Sequence, residues 1–186
     1  MTKKITKSKQ RAGKIYEAEI ASTLRAYRQV YQPNFVWHRI PDVYDHARNF
    51  CPKCQKPFTS QYVSVKNPAD FFFIYKGRIT FIEAKSSMQE RYRLEWIKPH
   101  QIDYLIQINK AGGRGFIMIG YRGSLVTCRK KNSKMPKKNR SWILTPECIK
   151  SQIEKGKKSL SWEEINKFGV ELERNGGIWD IDILLK

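Results

Sequence analysis

The sequence predicts an α/β fold, a mixed central β-sheet flanked by helices, and three patterns along the chain carry that expectation. An amphipathic helical pattern comes first, a hairpin of aromatic and β-branched residues follows, and a second helical pattern precedes further strands. From Gly13 to about Arg28, the residues Glu17, Ile20, Ala21 and Leu24 share one face at i, i+3, i+4 and i+7. Glu19, Arg25 and Arg28 lie away from it. Glu17 is therefore expected on the inward face and Glu19 in solvent.

Asn34 to Ile40 reads as a strand, and the segment from Pro41 to Asn67 as irregular. The hairpin occupies residues 70 to 85. Lys76-Gly77 separates two apolar runs, and Gly supplies the positive φ of a tight turn. With those two residues as the loop, Tyr75 faces Arg78 and Asp70 falls opposite Glu83, their Cβ atoms roughly 5 Å apart on one face. Lys85, two residues on, shares that face. Phe71, Phe73 and Tyr75 alternate with Phe72 and Ile74, so both faces of the first strand are apolar and the hairpin is expected to be interior to a sheet. Two carboxylates at the end of such a strand repel unless something positive lies between them. A hard divalent cation bound by carboxylate oxygens meets that need, which is the chemistry of a metal-dependent nuclease.

Pro99 starts a helix through Gln101, Ile102, Leu105 and Ile108 to Gly112-Gly113. Phe116 to Tyr121 and Ser124 to Cys128 are expected as a strand pair turned at Arg122-Gly123, with a further strand from Trp142 to Leu144. Pro146 to Lys155 reads as a short helix. Ser161-Trp162-Glu163-Glu164 has capping-box spacing, and the helix it opens is expected to run to about Gly176-Gly177.

At 186 residues the chain suits one domain with a real core. It carries 36 Lys and Arg against 17 Asp and Glu, a formal net charge of +19, which points to a polyanionic partner such as DNA or RNA. No long apolar run, basic amphipathic helix or signal peptide is visible, so an intracellular, cytoplasmic protein without membrane contact is expected. The charge is concentrated. Lys3, Lys4, Lys7, Lys9 and Arg11 lie in residues 1 to 12, read as a flexible basic arm. Arg129, Lys130, Lys131, Lys134, Lys137, Lys138 and Arg140 lie in an exposed loop around Pro136. Both runs are candidate phosphate contacts.

Of four cysteines, only Cys51-Pro52-Lys53-Cys54 has metal-ligand spacing. A redox Cys-x-x-Cys follows a strand at a helix start, whereas this one lies in a loop rich in Lys and Pro. A structural Zn²⁺ site and an unmetallated loop both remain open. His38, His46, Cys128, Cys148 or a second subunit would have to complete the zinc shell.

Gly13-Lys14-Ile15-Tyr16-Glu17, Pro68-Ala69-Asp70, Glu83-Ala84-Lys85, Pro99-His100-Gln101 and Gly156-Lys157-Lys158-Ser159-Leu160, in that order, resemble the PD-(D/E)XK nucleases. Within them the chain is similar to the RecU-type Holliday-junction resolvases, from residue 13 to about 170. The resemblance implies a restriction-endonuclease-like core over residues 13 to 186 with a projecting stalk, here residues 42 to 66, before the motif Asp. It implies Asp70, Glu83 and Lys85 as the active site, with Glu17 matching the helix-one Glu. It also implies a symmetric homodimer that nicks two strands of like polarity at four-way junctions in recombination and repair. The expected cofactor is Mg²⁺, with Mn²⁺ as a substitute, held by Asp70 and Glu83, by the Ala84 carbonyl, and by Glu17 directly or through water. Gln101 is expected to position the water or the scissile phosphate. The rival readings are a nuclease of the same fold acting on ordinary duplex or other branched DNA, and a non-catalytic zinc protein that binds nucleic acid.

Overall fold

The computed structural model describes residues 2–41, 49–50, 54, 57–58, 67, 69–123 and 138–186. The elements in order are helix α1 (Thr2–Tyr31), β1 (Phe35–Arg39), β2 (Asn49–Phe50), β3 (Pro57–Phe58), β4 (Phe71–Tyr75), β5 (Arg78–Ser87), β6 (Arg91–Arg93), α2 (Pro99–Lys110) and β7 (Arg114–Tyr121). After β7 come β8 (Arg140–Leu144), α3 (Pro146–Glu154), β9 (Ser159–Ser161), α4 (Trp162–Phe168), β10 (Val170–Leu172), β11 (Arg174–Asn175) and β12 (Ile178–Trp179). The mixed sheet predicted from the sequence is six-stranded, in the order β1-β4-β5-β7-β8-β10. β5 and β7 are parallel and every other neighbouring pair in it is antiparallel. Helix α2 supplies the crossover that the parallel pair requires.

The hairpin of β4 and β5 is interior, and its turn is as the sequence predicts. Lys76 and Gly77 both have positive φ, 48° and 76°, and Tyr75 pairs with Arg78. That register carries through to Phe71 opposite Ile82, so Asp70 arrives beside the strand that holds Glu83. Period two then sorts the side chains. Phe71, Phe73, Ile82 and Ala84 face α1, packing with Tyr16, Ile20 and Leu24. On the other face Ile102 and Leu105 of α2, Ile149 of α3, and Trp162 and Ile165 of α4 cover Ile117, Ile119, Trp142 and Leu144.

Three boundaries differ from the sequence reading. α1 begins at Thr2, not Gly13, so the segment read as a flexible arm continues the helix. Residues 2 to 12 hold no Pro or Gly and are rich in Lys, Gln and Arg, so a helix anchored downstream propagates through them. α4 ends at Phe168, because the next residues leave as β10 and pair with β8. The expected Pro41–Asn67 loop contains the two-residue strands β2 and β3, paired antiparallel. The strand expected over Ser124–Cys128 lies outside the described residues. β7 pairs instead with β8, Tyr121 opposite Arg140.

Helix α1 also rolls relative to the expected phase. Its buried ridge is Ala12, Tyr16, Ile20, Thr23 and Leu24, because the Tyr16 ring offers far more apolar area than the Glu17 stem. Glu17 is left on the flank. The Tyr16 ring fits only because residue 120 of β7 is Gly: a Cβ there would lie 2.6 Å from the ring.

Candidate active site

The site forms where β4 ends before β5 does. Asp70 lies one residue before β4, and its backbone N–H still donates to the Ile82 carbonyl at 3.1 Å. Two residues further along β5 no strand partner remains, and the Asp70 carboxylate takes that place, its Oδ2 accepting the Ala84 N–H at 2.8 Å. A backbone amide aimed at a carboxylate favours the ionised form and fixes its orientation. N–H and C=O of one strand residue point to the same side, so the Ala84 carbonyl also faces the space beyond the end of β4.

Glu83 is fully buried. Its Oε1 accepts from both Lys85 Nζ and Gln101 Nε2, the latter at 2.6 Å. Its Oε2 is buried without a hydrogen-bond partner among the described residues. Burial, and then the charge on Asp70, push the Glu83 carboxyl up to about 7 from an ordinary 4.5, against the opposing pull of Lys85 and Gln101. Burial alone would lower the pKa of Lys85, but Glu83, Asp70 and Glu17 together outweigh it and hold the ammonium above its usual range. Gln101 reaches Glu83 because it sits in the first turn of α2, where its Oε1 accepts the Lys98 N–H at 3.1 Å. With its oxygen committed to the helix start, its amide nitrogen is turned toward the carboxylate.

This donor set fits a hard divalent cation. It offers two carboxylates on adjacent strands, one with a buried oxygen that nothing else satisfies among the described residues, beside a backbone carbonyl at an open strand end. Among the described residues no three of His, Cys, Asp or Glu come together, so Asp70 and Glu83 stand as a pair.

A family model described as Recombination protein U matches residues 11–184. The chain belongs to the RecU family. It is 28% identical over 141 residues to the Holliday junction resolvase RecU of Mycoplasmopsis pulmonis (strain UAB CTIP), spanning 74% of this chain and 76% of that protein. A solved structure of Hjc, a Holliday junction resolvase from Archaeoglobus fulgidus, aligns over 81% of this chain and 94% of its own at 11% identity, with a TM-score of 0.40.

In this RecU family member the remaining sequence candidates divide sharply. Glu17 is close enough to act on Lys85 electrostatically, but its Oε2 accepts from Arg39 on β1 at 2.5 Å, so it flanks the acid pair. Glu19, expected in solvent, instead grips the buried Arg122 with both oxygens, each at 2.6 Å, and also meets Arg174 at 3.1 Å. The sequence signal for that pair is slight, since neither residue belongs to a motif and they lie 103 positions apart. Nothing in the sequence singles out Tyr92. Its buried ring lies within electrostatic reach of Glu83, and its hydroxyl has no hydrogen-bond partner among the described residues.

Arg140, a candidate phosphate contact, is committed to Glu171 through two nitrogens and lies 4.9 Å over the Trp142 ring. Lys138 is exposed. Arg129, Lys130, Lys131, Lys134 and Lys137 lie outside the described residues, as do the side chains of Lys3, Lys4, Lys7, Lys9 and Arg11. Cys54 is an exposed free thiol, and Cys51 lies outside the described residues. No helix among the described residues is long and apolar enough to cross a membrane.

Proposed function

We propose that this chain resolves four-way DNA junctions by metal-dependent hydrolysis of phosphodiester bonds in recombination and repair, acting as a homodimer on DNA inside the cell. The observation that carries the reading is the placement of Asp70, Glu83 and Lys85 at one strand end of an interior hairpin, in a chain of the RecU family. Asp70 and Glu83, with the Ala84 carbonyl, would hold Mg²⁺, or Mn²⁺ in its place, and the bound ion would polarise the phosphate and lower the pKa of a water.

The chain's own groups account for the rest. The Ala84 amide holds the Asp70 carboxylate in place. Lys85 keeps its proton despite its burial and brings a fixed positive charge to where the phosphoryl oxygens gain negative charge. Gln101 orients Glu83, and Glu17 adds negative potential from the flank. The lysines of residues 129–138 supply contacts to the DNA backbone that do not depend on sequence. Residues 42–66, with Cys51 and Cys54 as half of a structural zinc site, form the stalk that enters the junction.

The test is cleavage of a synthetic four-way junction against linear duplex of the same sequence, with and without Mg²⁺. Symmetric, metal-dependent nicks in the junction alone are expected. Equal cutting of the duplex would refute junction selectivity, and cutting that survives chelation would refute the role given to the acid pair.

A further inference from the structure

Immediately beyond Lys85 the chain lines a pocket of about 220 Å³, walled by Ala12, Ser86, Ser87, Met88, Gln89 and Trp96. That is far more room than an ordered water needs, and its walls are mainly apolar with a few polar groups. Ser86 follows Lys85 directly in β5, so one wall of the pocket begins at the residue after the active-site lysine.

The segment that forms the pocket is built in advance. The Ser87 carbonyl accepts the Arg122 N–H at 2.9 Å, the Gln89 N–H donates to Ser87 Oγ at 3.0 Å, and the Gln89 carbonyl accepts Trp162 Nε1 at 2.9 Å. Trp96 is held edge-on against Tyr92, ring centroids 5.4 Å apart. Two polar groups are left unused among the described residues. Ser86 Oγ is buried with no hydrogen-bond partner there, and the side-chain amide of Gln89 makes no hydrogen bond there either. The packing of Tyr16, Ile20 and Leu24 uses neither group, nor does the acid pair.

We propose that this pocket takes a single unstacked nucleobase of the strand being cut, one that flanks the scissile phosphate. The chemistry matches on each count. An indole and a thioether offer apolar surface to the π-face of a base, and stacking on aromatic side chains is how proteins hold bases that have left the helix. An amide carries a donor and an acceptor side by side, which pairs with a base edge, and a hydroxyl serves either role. Extruding a base is least costly where pairing and stacking are already interrupted, as they are at a branch point. The pocket therefore also favours a junction over continuous duplex. The inference rests on the junction-cleaving reading above.

The experiment uses the full chain and immobile four-way junctions that differ only in the bases flanking the mapped cut, with cleavage followed under single-turnover conditions. For the wild type, rates at one flanking position should differ by roughly tenfold or more between the best and the worst base, the discrimination a paired amide supplies. In Gln89→Leu that spread should fall to within about twofold, because the shape is kept while the hydrogen bonds to the base edge are removed. In a second measurement without divalent metal, 2-aminopurine at that position should be brighter when bound by Trp96→Phe than when bound by wild type, because the indole that stacks on the base also quenches it, while the same probe three pairs away should not differ between the two proteins.

Equal wild-type rates for all four bases would overturn the pocket assignment. So would a base preference unchanged in Gln89→Leu, or 2-aminopurine emission that is the same in wild type and Trp96→Phe at every position near the cut. A wild-type chain that cuts no junction would instead defeat the function proposed above, and the two failures are thereby told apart.

Discussion

Replacing Glu83 by Gln should stabilise the metal-free protein at alkaline pH while abolishing cleavage. Glu83 is fully buried, and burial together with Asp70 raises its carboxyl from 4.5 to about 7. A folded-state value above the unfolded one means that the fold holds this proton more tightly than the unfolded chain does. The stability it confers is complete below about pH 4.5 and is lost as pH rises through about 7. At ~1.4 kcal/mol for each tenfold change in proton affinity, keeping the carboxylate ionised in the fold costs about 3 kcal/mol by pH 8. Gln is neutral throughout, keeps an oxygen for Gln101 and places amide hydrogens where Oε2 has no partner among the described residues. It loses the ion pair to Lys85, whose pull is already contained in the value of about 7. The net expectation is a variant about 3 kcal/mol more stable than wild type at pH 8 and within about 1 kcal/mol of it at pH 5. Urea unfolding in chelator at the two pH values measures this, alongside junction cleavage. A Gln variant no more stable than wild type at pH 8, or an equal gap at both pH values, would refute the reasoning.

Gly120→Ala should destabilise the fold by about 1–3 kcal/mol, read by denaturant midpoint, because the new methyl meets the buried Tyr16 ring. Glu19→Ala should cost more than Arg122→Ala, on the order of 3–5 kcal/mol, since it strands a buried guanidinium whereas the reverse change leaves Glu19 its contact with Arg174. Thermal unfolding of the two variants, ranked the other way, would count against this. Neutralising Lys130, Lys131, Lys137 and Lys138 should flatten the dependence of DNA affinity on salt by about one logarithmic unit for each phosphate no longer engaged, and an unchanged slope would make the loop a solvated charge run. Elemental analysis should find about one Zn²⁺ per chain, or one per two chains if Cys51 and Cys54 of two subunits share a site. Its absence would remove zinc from the account of the insert.

The hairpin is legible in the sequence because its determinants are local. A two-residue turn and strict alternation set the register, and the register alone carries Asp70 to Glu83. Lys85 follows from the same period. The helix starts at Pro99 and Ser161 are equally readable, since a proline and a capping box act within one turn. Tertiary docking decides the rest. The phase of α1 depends on which side chain the sheet can accept, and Gly120, far along the chain, makes room for Tyr16 and turns Glu17 aside. The end of α4 is hidden from local patterning because pairing of β10 with β8 competes with a helical pattern that by itself continues. Gln101 can be named from its place in the motif, but its contact with Glu83 depends on how α2 lies over β5.

The amide of Gln101 spans two structures that are usually considered apart, its oxygen on the first turn of α2 and its nitrogen on Glu83. Helix start and carboxylate thus share one rigid planar group, and neither can shift by an ångström without tugging the other. Whatever draws Glu83 out of its buried setting loosens the first turn of α2, and whatever frays that turn lets the carboxylate swing. The mechanical stiffness of the site is therefore set less by its acids than by how firmly one short helix begins.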